Sequence, residues 1–360
     1  MSKSIEQAQF EHVLTAYDCQ IDQTQVSPLG NGLINNTFLV SSPESKFVLQ
    51  RINHHVFKQP KQVVSNADLI NDHLQNKKEA QEYSLEPMWQ LKDKDGKPSV
   101  KYKEHLWRAI QFIPNCYTIE EVDCANQAHM VAKAFGEFTS ALSDFPATEL
   151  SEIIKDFHNL EFRMSQLADA VSQDKCGRLK QCNDLVDLCF KQHRFIDEVA
   201  TYVDNLPVQV THNDTKINNL LFANSTKEPI AVIDLDTCMP GFIMHDFGDM
   251  VRTCCSNLAE DGTALHKMEL RLDIFEGLAN GYVESFCGKM TPIEKDSLVI
   301  GAQLLPFMIG VRFLTDFIDG DNYFHTQRET HNLDRAKNQI NLYSLLKNSR
   351  SELETIVANA

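Results

Sequence analysis

The chain has 360 residues, with 34 Lys+Arg against 50 Asp+Glu and a formal net charge of −16 with histidines neutral. Its 42% hydrophobic residues, 14 Gly and 12 Pro can bury a substantial core, which excludes disordered, collagenous and disulfide-scaffold classes. A chain this acidic, with no Lys/Arg-rich run, is a poor partner for nucleic acid or an anionic membrane, so small-molecule chemistry is expected.

No apolar stretch of signal-peptide length precedes Glu11, and a cytoplasmic location is expected. The ten cysteines are scattered without a C-x-x-C pair and read as reduced thiols filling apolar space. From Val26, the run V-S-P-L-G-N-G-L-I-N-N-T-F-L-V predicts a hairpin with a glycine-rich tip. Ser41-Ser42-Pro43-Glu44 turns the chain into a third antiparallel strand at Phe47-Val48-Leu49. Mixed three- and four-residue apolar spacings predict a helix over Lys61 to Asn76. After a polar interval, Lys92 to Pro98, the run Leu106 to Ile113 reads as a buried strand closed by Pro114. Beyond it the periodicity is helical: first at Val131, Phe135, Phe138 and Leu142, then as one long amphipathic stretch from Leu185 to Val199. Two short apolar strands, at Val208–Thr211 and Ile230–Ile233, bracket a polar loop, and a helix is expected to start near Met250. Leu298 to Val311 is very apolar but short of the ~18 residues of a membrane span, and predicts a buried helix.

The bracketed loop, His212-Asn213-Asp214-Thr215-Lys216-Ile217-Asn218-Asn219, places an aspartate five residues before an asparagine with a lysine between them. That is the spacing of a kinase catalytic loop. Phosphoryl transfer needs a carboxylate to align an attacking hydroxyl, an amide oxygen for Mg²⁺, and a cation to offset charge on the moving group. Asp214, Asn219 and Lys216 fit those roles. A second metal-holding carboxylate is required, and Asp234 in Ile233-Asp234-Leu235-Asp236 is the candidate. Asp236 is either a further metal ligand or a cap for its loop. Asp246-Phe247-Gly248 spells the protein-kinase metal motif by letters but lies too far past Asn219. Asp246 and Asp249 therefore read as N-terminal caps or anchors bracing the catalytic loop.

These motifs resemble those of the aminoglycoside phosphotransferase and choline kinase superfamily. Within it, five phrases look closest to the N-acetylhexosamine 1-kinases: Gly30 to Phe38, Val48 to Asn53, Asp156 to Asn159, Thr211 to Asn219 and Gly310 to Asp316. The likeness runs from about Leu29 past Asp334. It implies an α+β, bilobal, protein-kinase-like fold, with a small antiparallel-sheet lobe over residues 1–113 and a mainly helical lobe over 114–360. It also implies ATP and Mg²⁺ as cofactors, and transfer of the γ-phosphoryl group to the anomeric hydroxyl of N-acetylglucosamine or N-acetylgalactosamine. Asp214 would be the base, with Asn219 and Asp234 on the metal. Gly30, Gly32, Phe112 and Ile113 would lie at the nucleotide, and His158, Arg163, Arg312 and Asp316 at the sugar. Arg312 and Asp316 share one helix face, where a charge pair is the structural alternative. Asn213 stands where most of the superfamily has Gly. Gln50 stands where protein kinases place a phosphate-binding lysine, so Arg51 replaces that lysine or the contact is lost. The rival acceptors are amino alcohols and aminoglycosides; the rival class is a nucleotide-binding pseudokinase, against which the presence of Asp214, Asn219 and Asp234 speaks.

Overall fold

The computed structural model describes residues 5–30 and 34–360, so Gly32 lies outside the described residues. The chain runs through α1 (Ile5–Ala16), β1 (Gln25–Pro28), β2 (Asn36–Ser41), β3 (Lys46–Arg51), α2 (Pro60–Glu79), β4 (Gln90–Leu91), β5 (Val100–Tyr102), β6 (His105–Gln111) and β7 (Cys116–Tyr117). It continues with α3 (Ala125–Ala141), α4 (Leu160–Gln173), α5 (Asn183–Phe190), α6 (His193–Asn205), β8 (Gln209–Thr211), β9 (Leu220–Ala223), β10 (Pro229–Val232) and β11 (Met239–Gly241). The last helices are α7 (Ile243–Cys254), α8 (Leu272–Ser285), α9 (Pro292–Asp319), α10 (His331–Asn348) and α11 (Arg350–Asn359).

These elements pack as two compact units. The first comprises Met1–Tyr117, Asp144–Lys155 and Leu221–Pro240, and the second the remainder. The break differs from the one expected after Ile113, because two later stretches return to the first unit. Tyr117 pairs with Phe222 across β7 and β9. The buried Asn66 amide of α2 donates to the carbonyls of Ser151 (2.8 Å) and Cys238 (3.0 Å).

In the first unit the antiparallel sheet runs β1-β2-β3-β6-β4, with β5 also on β6. The predicted hairpin and third strand are present, with Val26 opposite Val40 and Leu39 opposite Val48. Period-two alternation puts Phe47, Leu49, Trp107 and Ala109 on one face, where they pack with Val13 and Leu14 of α1. Phe10 and Tyr17, at helical spacing from Val13 and Leu14, pack against the same cluster. The other face of β3 and β6 carries Gln50 directly opposite Arg108.

In the second unit α9 is the central rod, opened by a Thr291/Glu294 capping box with Pro292 in its first turn. Among the described residues α9 alone is long and apolar enough to cross a membrane, and 83% of its apolar window is buried within the protein. The stretch expected as one helix over 185–199 is two, α5 and α6. The break falls where Gln192 donates to the Leu188 carbonyl (2.9 Å) and accepts the Tyr343 hydroxyl (2.9 Å). Helix α7 begins at Ile243, a full turn and more before the expected start, so Asp246 lies inside it. A Cβ on Gly248 would sit 2.2 Å from the Gly301 carbonyl oxygen, and one on Gly301 would sit 2.0 Å from that of Met244. Only glycine at both positions allows the α7 and α9 backbones to touch.

Candidate active site

The loop after β8 turns on Asn213, whose φ of 64° is left-handed. Gly and Asn are the residues that adopt this conformation most readily, which explains why Asn can stand in a position usually held by Gly. The Asn213 side chain adds two bonds to Thr211, accepting its hydroxyl (3.1 Å) and donating to its carbonyl (3.2 Å). Beneath the loop, the fully buried Asp246 accepts the Asn213 N–H at Oδ1 (2.7 Å) and the His212 N–H at Oδ2 (3.0 Å). Its own carbonyl accepts the Thr215 hydroxyl at 2.6 Å. Burial raises the Asp246 carboxyl to about 6, although His212 and the two amide bonds pull the other way. His212 is wedged edge-on against Phe135 and Phe138, and its Nδ1 accepts the Asp214 N–H at 3.3 Å.

Asp214 keeps 24% of its side chain exposed, with Lys216 Nζ 3.6 Å from its Oδ1. The Asn219 amide donates to the Asp214 carbonyl (2.9 Å) and to Oδ2 (3.3 Å). Burial works against charge on Asp214, but Lys216, His212 and Arg252, with the Asn219 amide, outweigh it and hold the carboxyl below its usual range. Asp214 in turn raises the Lys216 ammonium. Arg252 stays charged despite its burial because Asp249 (2.8 Å) and Glu260 (2.6 Å) flank it.

In the first unit, Asp234 is exposed and left-handed, at φ 61° and ψ 59°, and opens a one-turn helix whose residues Leu235, Asp236 and Thr237 are buried. Asp236 is ion-paired with Arg108 through Oδ1 and accepts the Asn35 amide at Oδ2 (2.6 Å). Arg108, only 2% exposed, also donates from Nε (3.0 Å) and Nη2 (2.7 Å) to Gln50 Oε1. Both Asp236 oxygens accept from protein donors, the disposition of a loop cap. Arg51 projects from the opposite face of β3 to Gln50 and donates to Asn36 Oδ1 (3.3 and 2.8 Å). Gly30 adopts φ 70° at the hairpin tip. Phe112 and Ile113 are half-buried just past β6, with Lys46 Nζ 4.3 Å from the Phe112 ring centre.

The residues expected at the sugar fall into two kinds. His158 approaches the catalytic loop, its Nε2 lying 3.3 Å from the Asn213 carbonyl oxygen. Its ring lies 4.8 Å from that of His245, tilted by 47°; His245 is 5% exposed and, among the described residues, has no hydrogen-bond partner on either nitrogen. Burial depresses both rings, His245 to about 3. Among the described residues Arg312 has no carboxylate partner; its guanidinium lies over Phe157 (5.3 Å), Phe324 (5.4 Å) and Tyr323 (5.6 Å) and reaches the Tyr323 hydroxyl at 3.4 Å. Arg163 and Asp316 are committed elsewhere. Arg163 donates to the Phe157 carbonyl (3.1 Å) and to Gln166 (2.8 Å). Asp316 accepts the backbone N–H groups of Asn322, Tyr323 and Phe324 at 2.8–2.9 Å and the Asn332 amide at 2.9 Å. Asp316 is therefore not a charge partner of Arg312: it folds the loop that carries Tyr323 back to Arg312.

Against known proteins, the profile of the phosphotransferase enzyme family (APH) matches residues 25–264, two thirds of the chain. The chain belongs to this family. Solved structures with the same kinase-like fold include an aminoglycoside phosphotransferase from Alicyclobacillus acidocaldarius, at 12% identity and a TM-score of 0.60, covering 100% of this chain and 98% of that one. A microcompartment-associated aminopropanol kinase matches at 15% identity and a TM-score of 0.61, covering 97% of this chain and 98% of that one. A spectinomycin phosphotransferase, solved with ADP and spectinomycin, matches at 14% identity and a TM-score of 0.51, covering 95% and 97%.

For a phosphotransferase, each of the two residues expected at the metal offers oxygen chemistry suited to a hard divalent cation. Asn219 commits its NH₂ to Asp214 and leaves its carbonyl oxygen as acceptor. Asp234 offers an exposed carboxylate. Among the described residues no cluster of three His, Cys, Asp or Glu side chains could hold a metal by itself. A Mg²⁺ bound by one or two protein groups together with nucleotide phosphates needs none. Sequence reasoning missed Arg252, His245, Tyr323 and Arg108. Arg252 had a signal in its i, i+3 spacing from Asp249, whereas Arg108 needed the β3–β6 register.

Proposed function

We propose that this phosphotransferase moves the γ-phosphoryl group of ATP to the anomeric hydroxyl of an N-acetylhexosamine. The observation that carries the acceptor class is Arg312, a guanidinium with no carboxylate partner among the described residues, bordered by three aromatic faces, in the same unit as Asp214. A choline-type acceptor needs an empty aromatic cage for its cation. Here the chain's own cation fills that place, and Arg163 adds a second positive charge nearby that disfavours aminoglycosides and amino alcohols. A neutral sugar suits the same surroundings. Its hydroxyl and amide oxygens accept from Arg312, and its ring lies against Tyr323, which is 61% exposed.

In this reading Asp214, held ionised, accepts a hydrogen bond from the acceptor hydroxyl and takes its proton as the new P–O bond forms and ADP leaves. Lys216 offsets charge on the transferring group. Asn219 and Asp234 would hold Mg²⁺, which when bound neutralises charge on the nucleotide phosphates. Asp246 and His158 keep the loop backbone fixed while this happens.

The test is ADP release from Mg-ATP across N-acetylglucosamine, N-acetylgalactosamine, glucose, choline, homoserine and an aminoglycoside, with loss of the reducing end scored on sugar products. Turnover with an N-acetylhexosamine and loss of its reducing end is expected. Turnover confined to the cationic alcohols, or phosphorylation that spares the reducing end, overturns the proposal.

A further inference from the structure

Asp234 occupies a left-handed conformation, one that Asp tolerates better than most residues but that still costs free energy. A polar anchor for its turn comes two residues later. Leu235, Asp236 and Thr237 form a single buried turn, and the Asp236 carboxylate is its polar anchor. One oxygen faces Arg108 and the other Asn35, and both partners are buried. Each partner is itself fixed. Gln50 accepts two bonds from Arg108, which sets the guanidinium against the sheet. Asn35 Oδ1 accepts the Asn53 N–H (3.0 Å), and the Asn53 amide donates to the Ile34 carbonyl (3.1 Å), which ties down the descending side of the glycine-rich hairpin. Asp236 thus joins the turn that presents Asp234 to the hairpin through Asn35. Arg108, the buried cation of the sheet's inner face, spends its charge on Asp236. With Gln50 in place of lysine, that face gives its cation to a carboxylate and not to a ligand.

We propose that Asp236 is a positioning residue for phosphate binding: through Arg108 and Asn35 it locks the Asp234 turn to the glycine-rich hairpin, and it binds no metal. This rests on the reading of the chain as a Mg-nucleotide phosphotransferase. Removing any of the three side chains loosens the same lock, so their effects should share one sign and fail to add.

The experiment is calorimetric titration of the full chain with ADP, with and without Mg²⁺, for the unaltered protein, Asp236→Asn, Arg108→Gln, their double variant and Asn35→Ala. Thermal unfolding serves as the folding control. Each single change at Asp236 or Arg108 should weaken MgADP about 10-fold, the double no more than the worse single, and Asn35→Ala about 3-fold. In turnover, KM for MgATP should rise by the same factor while kcat changes by less than about 3-fold. If Asp236→Asn abolishes the strengthening of ADP binding by Mg²⁺ while Arg108→Gln and Asn35→Ala bind as the unaltered chain does, Asp236 is a metal ligand and the proposal falls. Unchanged affinity in all variants that fold also overturns it. Where the Asp236 and Arg108 variants do not fold, Asn35→Ala decides alone. An unaltered chain that does not bind MgADP overturns the nucleotide reading itself, a separate failure.

Discussion

In the 212–219 loop, Asn213 is held left-handed by a carboxylate, Asp246, that grips backbone N–H groups; in the 234–237 turn, Asp234 is held left-handed beside a carboxylate, Asp236, that grips side chains. The first arrangement needs one specific residue, because every non-proline residue offers an N–H. The second needs three, since Arg108 and Asn35 must be present as well. The partners differ too. Burial raises the Asp246 carboxyl to about 6, whereas Asp236 faces a buried guanidinium. The loop is therefore tolerant of its own sequence and sensitive to pH, and the turn depends on its three side chains.

The largest test of this contrast is at the carboxylate that neither brace replaces. Asp214→Asn should lower turnover by roughly two to four orders of magnitude with the fold retained, because the substitution removes the proton acceptor and leaves the Asp246 bonds intact. Stopped-assay kinetics and a thermal melt check both halves.

Next comes Asp246→Ala, which strands two buried N–H groups and should cost about 2–5 kcal/mol in denaturant unfolding. Its conservative partner, Asp246→Asn, isolates the charge. The folded carboxyl is raised from 3.8 to about 6, so its stabilising contribution is complete below 3.8 and is lost as pH rises through about 6. Relative to Asp246→Asn, the unaltered chain should lose about 3 kcal/mol between pH 4 and 7, measured by chemical denaturation. Asp214 has the opposite sign. Its folded value lies below 3.8, so its contribution is present above 3.8 and is lost as pH falls through the folded value.

The smallest effect is expected at the backbone itself. Asn213→Gly should leave stability within a few tenths of a kcal/mol, while Asn213→Ala should cost about 1–2 kcal/mol for a left-handed alanine. Equal effects from the two would show that the Thr211 bonds, and not the backbone, decide the residue.

Much of this is legible in the amino-acid sequence. The Gly-rich and Ser-Pro turns predicted three antiparallel strands, and Asp214, Lys216 and Asn219 do converge. Local signals carried those readings, since turn chemistry and loop spacing act over a few residues. What escaped was non-local. Arg108 meets Gln50 only through strand register, and Asp236 only across 128 residues of chain. The i, i+4 spacing of Arg312 and Asp316 placed both on one face but could not say that the acid would be consumed by the backbone of residues 322–324. The start of α7 was read too late because Asp246 and Asp249 resemble caps in sequence, whereas in the fold their charges are used sideways, on the loop and on Arg252.

The interleaving of the two units bears on how the protein is made. The sheet unit is finished only when residues 221–240 have been synthesised, by which time the chain has already passed through α3 to α6 of the other unit. The brace under the catalytic loop comes later still, because α7 needs Gly301 of α9 to seat against. No single cut of the polypeptide releases either unit whole. A ribosome has to deliver most of the chain before the loop bearing Asp214 can be set.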